Sequence, residues 1–195
     1  EVVEVCTAGI KAMIPAALVL IMAWSLQGIC ERLNTSQFLV YHMSFTLNYL
    51  PAVIFVLAAV VGFSTGSSWG TMGILIPLTI DYACGMSVEN GLSQPEVRSV
   101  LAASVGAVLA GAVFGDHCSP ISDTTIMSSM ASGADHVDHV RTQMPYALTV
   151  AGIALVFGYL PAGFGVSSYI LLPLGLAAVF AVLMIFGRKV DAESA

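Results

Sequence analysis

Residues 115–125 read Gly115-Asp116-His117-Cys118-Ser119-Pro120-Ile121-Ser122-Asp123-Thr124-Thr125, directly after a segment rich in Ala, Val and Gly. Pro120 disfavours helical geometry at the residue before it, and Gly115 can end a helix in the left-handed conformation. The stretch therefore predicts an interrupted helix near 116–120. Ser119 would cap the second half, with Pro120 at its first position and Gly133 at its end.

Apolar sequence surrounds this polar stretch on both sides. The 195 residues are 57% hydrophobic and 9% charged, with a mean hydropathy of +0.90, whereas soluble domains carry about 25% charged residues. A membrane span needs about 20 apolar residues. Asp, Glu, Lys and Arg do not occur in the ranges 12–30, 33–80, 99–115 and 142–187. The sequence thus predicts an all-α polytopic membrane protein with one transmembrane domain over 1–195.

The same composition excludes several function classes. A soluble domain and a disordered chain are excluded by the long uncharged runs. Nucleic-acid binding is excluded because 6 Lys and Arg stand against 12 Asp and Glu, with no basic patch. The predicted spans lie at about 12–29, 38–63, 74–84, 97–115, 144–160 and 169–186.

A second polar stretch occupies residues 62–73, Gly62-Phe63-Ser64-Thr65-Gly66-Ser67-Ser68-Trp69-Gly70-Thr71-Met72-Gly73. A break at membrane depth is tolerated only where it packs in protein or lines a wet cavity, and transporters use interrupted helices to build sites at mid-membrane. The apolar piece after each polar stretch is short for a span. The alternative for 62–73 is a small-residue packing face on an unbroken helix, because its glycines fall four residues apart.

The two stretches supply the oxygen ligands that a hard cation prefers. Apolar surroundings and a helix C-terminus favour the protonated form of a carboxyl group, whereas a helix N-terminus favours the ionised form. We therefore predict that Asp116 exchanges a proton for a cation, helped by free carbonyls at its helix end, and that Asp123 is an ionised ligand or organiser. The further candidate ligands are the hydroxyls of Ser119, Ser122, Thr124, Thr125, Ser64, Thr65, Ser67, Ser68 and Thr71. His117 is a candidate proton relay, and the alternative for the whole 115–125 stretch is a loop outside the membrane.

These motifs resemble those of the NhaC-type sodium/proton antiporter family. The stretch 115–125 looks like that family's signature, as does its continuation over 135–146, and 66–71 is similar to its other Gly/Ser motif. The match covers about 37–187. The resemblance implies a secondary transporter of the ion-transporter superfamily, which is built from two inverted repeats.

Each repeat of that fold has a re-entrant hairpin and a broken helix. By analogy, 51–84 would be the hairpin with its tip near 64–71, and 98–133 would be the broken helix. The two tips would meet and form half of the ion site. Because the family's chains are about twice as long, we expect this chain to be the C-terminal half of a transporter.

The sequence and the resemblance together predict a transporter rather than an enzyme. It would exchange sodium for protons across a bacterial inner membrane, without a cofactor and with no metal ion beyond the transported Na⁺. Its partners would be the lipid bilayer, Na⁺ and H⁺, and an N-terminal repeat outside this chain; oligomeric state stays open, a homodimer included. Arg188 and Lys189 predict that the tail 188–195 is cytoplasmic.

Two other functions compete with sodium/proton exchange. The first is organic-acid antiport, such as malate/lactate exchange, which is disfavoured because Arg98 and Arg141 lie outside the apolar segments. The second is an intramembrane metalloenzyme that would use the groups at His117, Cys118, Asp123, His136, Asp138 and His139. It is disfavoured because the sequence has no H-E-x-x-H pattern.

Overall fold

The computed structural model describes residues 47–187 continuously and, before them, residues 2–7, 10, 11, 21, 25, 29, 32 and 33. Most of the predicted span at 12–29 and all of the predicted tail at 188–195 lie outside the described residues. Every regular element in 47–187 is helical. After a 3-10 turn (Leu47–Tyr49) come α1 (Leu50–Thr65), α2 (Ser68–Glu89), α3 (Gln94–Cys118), α4 (Asp123–Ala131), α5 (His136–Ile153) and α6 (Ser168–Phe186). A π-helical segment (Ala154–Tyr159) and a final turn (Leu160–Gly163) extend α5.

The predicted fold class is confirmed: this is an all-helical, polytopic membrane protein. Within the described residues, five helical segments are long and apolar enough to cross a bilayer. They are Leu47–Thr65, Ser68–Glu89, Gln94–Cys118, His136–Gly163 and Ser168–Phe186. The short helix α4 has 9 residues and is not among them.

The turn between α1 and α2 is tighter than the sequence predicts. Only Gly66 and Ser67 are non-helical, since Ser64 and Thr65 still belong to α1, where their hydroxyls donate to carbonyls one turn back (2.7 and 2.8 Å). Ser67 caps α2 by accepting a hydrogen bond from the Gly70 amide at 3.2 Å. The second limb has 22 residues, so the prediction of a short apolar piece after the turn is wrong. A re-entrant course for this hairpin stays a prediction, since both limbs are long enough to cross.

The interruption after α3 lies at 119–122, slightly later than predicted. Gly115 stays helical and α3 ends at Cys118, because Pro120 drives Ser119 into extended geometry (φ −75°, ψ 128°). The prediction that Ser119 caps the next helix is wrong. Pro120 instead lies in a turn that the Ser122 amide closes on the Ser119 carbonyl (3.3 Å), and α4 begins only afterwards.

The second half-helix ends where the sequence predicts. Helix α4 stops at Ala131, and Gly133 adopts φ 64°. A left-handed residue after a helix is the usual position for glycine. The broken helix therefore comprises α3, the break at 119–122 and α4.

Helices α1 and α3 run parallel and pack with their backbones unusually close. Gly115 faces the Ala59 carbonyl and the Phe63 amide, while Gly111 faces Phe55 one turn earlier on both helices. Helix α2 lies against both and completes the core. The buried apolar side chains of this core are Leu50, Ile54, Phe55, Ala58, Leu75, Tyr82, Ala83, Met86, Ala107 and Val108. This packing places the end of α3 beside the turn of the α1–α2 hairpin.

Substitution of Gly66 with alanine tests the contact between that turn and the break. Gly66 has φ 61°, and an added Cβ would lie 2.9 Å from the backbone of Ile121. Gly91 has nearly the same backbone (φ 63°) but open space around it, so Gly91→Ala is a matched control. We expect each change to cost about 1–2 kcal/mol for the left-handed backbone, with a further loss only at Gly66. Thermal unfolding of the purified protein measures both, and equal losses would contradict the contact.

Candidate functional site

The carboxylate of Asp116 joins the break to the hairpin turn. Asp116 lies in the last turn of α3 and is 8% exposed. Its Oδ1 accepts a hydrogen bond of 2.6 Å from the Ser122 hydroxyl in the break. Its Oδ2 accepts one of 3.0 Å from the Ser68 hydroxyl, at the first residue of α2. One acidic side chain therefore holds a serine from each of the two interrupted elements.

The remaining hydroxyls of the hairpin stabilise the turn that presents Ser68. Thr71 donates to the Ser67 carbonyl at 2.9 Å, and its Oγ1 lies 3.5 Å from that of Thr65. Thr71 is almost fully buried, whereas the Ser64 side chain bonds back along the exposed side of α1. Of the five hydroxyl residues predicted for this motif, Ser68 alone contacts Asp116 in the described hydrogen bonds.

In the break, the hydroxyls of Ser122 and Thr124 form a hydrogen-bonded pair between Asp116 and the protein surface. Ser122 is fully buried, and its hydroxyl lies 2.9 Å from that of Thr124, which is exposed. Ser119 is also buried, but its hydroxyl accepts from the Ile121 amide at 3.4 Å. Thr125 donates to the His117 carbonyl at 3.3 Å. Ser122 is thus the direct partner of Asp116 in the break, with Thr124 one bond further.

The two other predicted residues take different positions. The His117 side chain is exposed, although it follows Asp116 directly. Asp123 begins α4, so its backbone is in the predicted first turn. Its side chain lies outside the described part of the structure. The ligand role of Asp123 and the relay role of His117 stay predictions.

Two of the main-chain carbonyls at the end of α3 are not free, contrary to the prediction. The Asp116 carbonyl accepts from the Ser119 amide at 3.0 Å. The His117 carbonyl accepts from the Gln143 side chain at 2.6 Å, in addition to the bond from Thr125. A carbonyl oxygen has two lone pairs, so the His117 carbonyl is saturated. The His117 carbonyl is therefore not available to a cation at Asp116.

Two side chains that the sequence did not assign to the site contact it from α5. Gln143 bonds the end of α3 as described above, and His136 Nε2 lies 2.7 Å from the Pro120 carbonyl in the break. They are seven residues apart, which is two helical turns, and therefore share one face of α5. The sequence contains no signal that singles them out, because Asp138, His139 and Arg141 make the start of α5 polar on other faces too.

The metalloenzyme alternative receives no support from the described residues, in which no group of three His, Cys, Asp or Glu side chains could hold a metal ion. His136 contacts Ser129 (3.1 Å) and Pro120, and His139 contacts Ser128 (3.3 Å).

A comparison with known protein families identifies the chain. The sequence profile of the Na⁺/H⁺ antiporter family matches residues 1–164. The chain belongs to the Na⁺/H⁺ antiporter family. This confirms the resemblance seen in its motifs, and the family is one of transporters rather than enzymes.

Several curated proteins are similar to most of this chain. An uncharacterized protein of Haemophilus influenzae is 40% identical over 191 residues, covering 97% of this chain and 34% of that protein. An uncharacterized Na⁺/H⁺ antiporter of the same organism is 31% identical, covering 81% and 33%. The malate-2H⁺/Na⁺-lactate antiporter of Bacillus subtilis is also 31% identical, covering 80% and 32%. No solved structure matches the chain.

These relatives show that the chain is a smaller part of a transporter than predicted. The chain spans about a third of their length, not half. These relatives are therefore about two and a half to three times as long as the chain, rather than twice.

Proposed function

We propose that this chain carries the carboxylate at which a membrane antiporter exchanges Na⁺ for H⁺. One observation carries the proposal: Asp116 is buried, and each of its two oxygens is held by a serine from a different interrupted element. Carboxylates inside membrane proteins mark ion and proton pathways. The sequence family supports antiport as the class of transport.

The exchange follows from the chemistry of one carboxyl group. A sodium ion would bind the ionised group of Asp116, while the hydroxyls of Ser68 and Ser122 turn their oxygens towards the ion. Protonation neutralises the group and removes the charge that attracts the cation. Proton and sodium therefore compete for one site, which is the requirement for coupled exchange.

The two oxygens of Asp116 have different surroundings, which gives the two ions different approaches. Through Oδ1, the hydrogen-bonded pair Ser122 and Thr124 connects the carboxylate to an exposed hydroxyl. We assign this pair as the route of the proton. Through Oδ2, the carboxylate contacts Ser68 at the half-buried start of α2. Movement of the hairpin turn relative to the break would open or close that side of the site, as alternating access requires.

The complete transporter would lie in the cell membrane as a multi-pass protein, and the remaining two thirds of a family member would supply the rest of the ion path. On this proposal, the bilayer and that remaining part of the protein are the partners of the present chain.

Organic-acid exchange is the second candidate, because one relative is a malate-2H⁺/Na⁺-lactate antiporter. An arginine is a frequent partner of an organic anion in its site. Arg98 lies near the start of α3, about 27 Å along the helix from Asp116, and both Arg98 and Arg141 are exposed. The described residues thus favour a small cation.

Proteoliposomes that contain the complete gene product distinguish these candidates. A dye reports internal pH while sodium chloride is added outside, either alone or with malate on one side of the membrane and lactate on the other. We expect sodium alone to drive protons across the membrane in wild-type vesicles, because the site needs no organic ligand. Proton movement that requires malate or lactate would favour the second candidate, and no response to sodium would overturn sodium/proton exchange.

A further inference from the structure

Helix α5 contacts the broken helix with two polar side chains from one face. His136 Nε2 lies 2.7 Å from the Pro120 carbonyl, inside the break. Gln143 Nε2 donates to the His117 carbonyl at 2.6 Å, at the end of α3. These two carbonyls lie on either side of the junction where α3 ends and the break begins. Both bonds join segments that are distant in sequence.

The direction of the His136 bond is fixed by its partner. A carbonyl oxygen only accepts, so Nε2 must carry the hydrogen. On the other side of the ring, Nδ1 lies 3.1 Å from the Ser129 hydroxyl, which itself donates to the Ile126 carbonyl at 2.8 Å. The ring of His136 is thus held between the break and α4.

The break has few other constraints on that side. Its turn is closed by one backbone bond, from the Ser122 amide to the Ser119 carbonyl, at a long 3.3 Å. On the opposite side, Gly66 of the hairpin turn packs against Ile121. The break is thus held between the hairpin and α5. Release of the α5 side would let Ser122 move away from Asp116.

We propose that His136 and Gln143 are positioning residues: they hold the break so that the Ser122 hydroxyl stays on the Asp116 carboxylate. This inference rests on the function proposed above for Asp116. His136 acts here as a hydrogen-bond donor to the main chain, and it contacts no reacting group. If the site is correctly arranged in only a fraction of the molecules, the apparent affinity for the ion is reduced to that fraction of its full value.

Variants of His136 in the complete gene product separate positioning from a general structural role. His136→Leu removes the donor at similar volume, whereas His136→Gln keeps an N–H donor. His139→Leu is the matched control, because His139 lies on the same helix but contacts Ser128 of α4 and not the break. We expect His136→Leu to raise the KM for Na⁺ about fivefold at a nearly unchanged maximal rate, as the loss of one hydrogen bond implies. His136→Gln should restore the KM, and His139→Leu should leave it unchanged. Gln143→Leu should raise the KM in the same way.

Hydrogen exchange of the backbone amides gives a readout that does not depend on transport. Residue Ser122 should lose amide protection in His136→Leu, and it should keep that protection in His136→Gln and His139→Leu. If His136→Leu changes neither the protection nor the KM, or if His139→Leu matches it in both, the positioning role is wrong. If the protection changes as expected but wild-type vesicles exchange no sodium, the positioning role stands and the proposed function fails.

Discussion

Replacement of Asp116 with asparagine is expected to reduce sodium-driven proton movement to the level of protein-free vesicles. The amide has no proton to exchange in the physiological range and no charge to attract Na⁺. Asparagine has nearly the same shape as aspartate, and its amide can still pair with the Ser68 and Ser122 hydroxyls. The variant should therefore fold and reach the membrane while losing exchange. Dye-loaded proteoliposomes with the complete gene product measure this loss.

Asp135→Asn is the matched control for that experiment. Asp135 is exposed and caps α5 by accepting from the Val137 and Asp138 amides at 2.9 and 3.1 Å. Asparagine caps helices about as well as aspartate, so the same chemical change should leave exchange intact there. Exchange at the wild-type rate in Asp116→Asn, with equal protein in the vesicles, would refute the role of Asp116.

Replacement of Gly115 with alanine is expected to be the most destabilising single change in the packing of α1 against α3. An added Cβ would overlap the Ala59 carbonyl and lie 2.6 Å from the Phe63 amide. These are backbone atoms, so a side-chain rotation cannot relieve the overlap, and α1 must move away from α3. We expect a loss of about 3 kcal/mol in the free energy of unfolding, at the upper end for overpacked interiors. Because Asp116 is the next residue, the contact with Ser68 should weaken as well.

The control for Gly115 lies on the same helix. Gly106 has open space where a Cβ would be added. Alanine is the better helix former by about 1 kcal/mol, so Gly106→Ala should leave stability unchanged or raise it. Melting temperatures of the detergent-purified proteins, compared with wild type, measure both changes. Similar melting temperatures for the two variants would show that α1 and α3 do not pack through Gly115.

The sequence located the two interruptions because their causes are local. Pro120 restricts the residue before it and lacks an amide hydrogen, which favours the end of α3 at this point, although Pro77, Pro145 and Pro173 lie inside helices. The sequence erred over Gly115, which it assigned to the helix end. A glycine serves equally as a turn residue and as a place for close helix contact, and only the packed neighbour distinguishes the two uses.

The sequence also supplied Asp116, Ser68 and Ser122 as candidates without showing that they meet. Ser68 and Asp116 are 48 residues apart in sequence. Nothing in their local surroundings separates Ser68 from Ser64 or Thr71, which have similar side chains. The difference arises from which side of its helix each hydroxyl occupies once α2 packs against α3.

By itself, the sequence determined the fold class, the family and the approximate position of the breaks. Hydrophobic composition demands helices in a bilayer, and proline geometry acts within a residue or two of its own position. Tertiary structure alone decided that the Asp116 carboxylate bonds Ser68 and Ser122, and that side chains of α5 contact the Pro120 carbonyl in the break and the His117 carbonyl at the end of α3. Those pairings depend on the rotation and spacing of whole helices, which are set by contacts such as Gly115 against Ala59. Such contacts join segments that are distant in sequence, so no local sequence pattern predicts them.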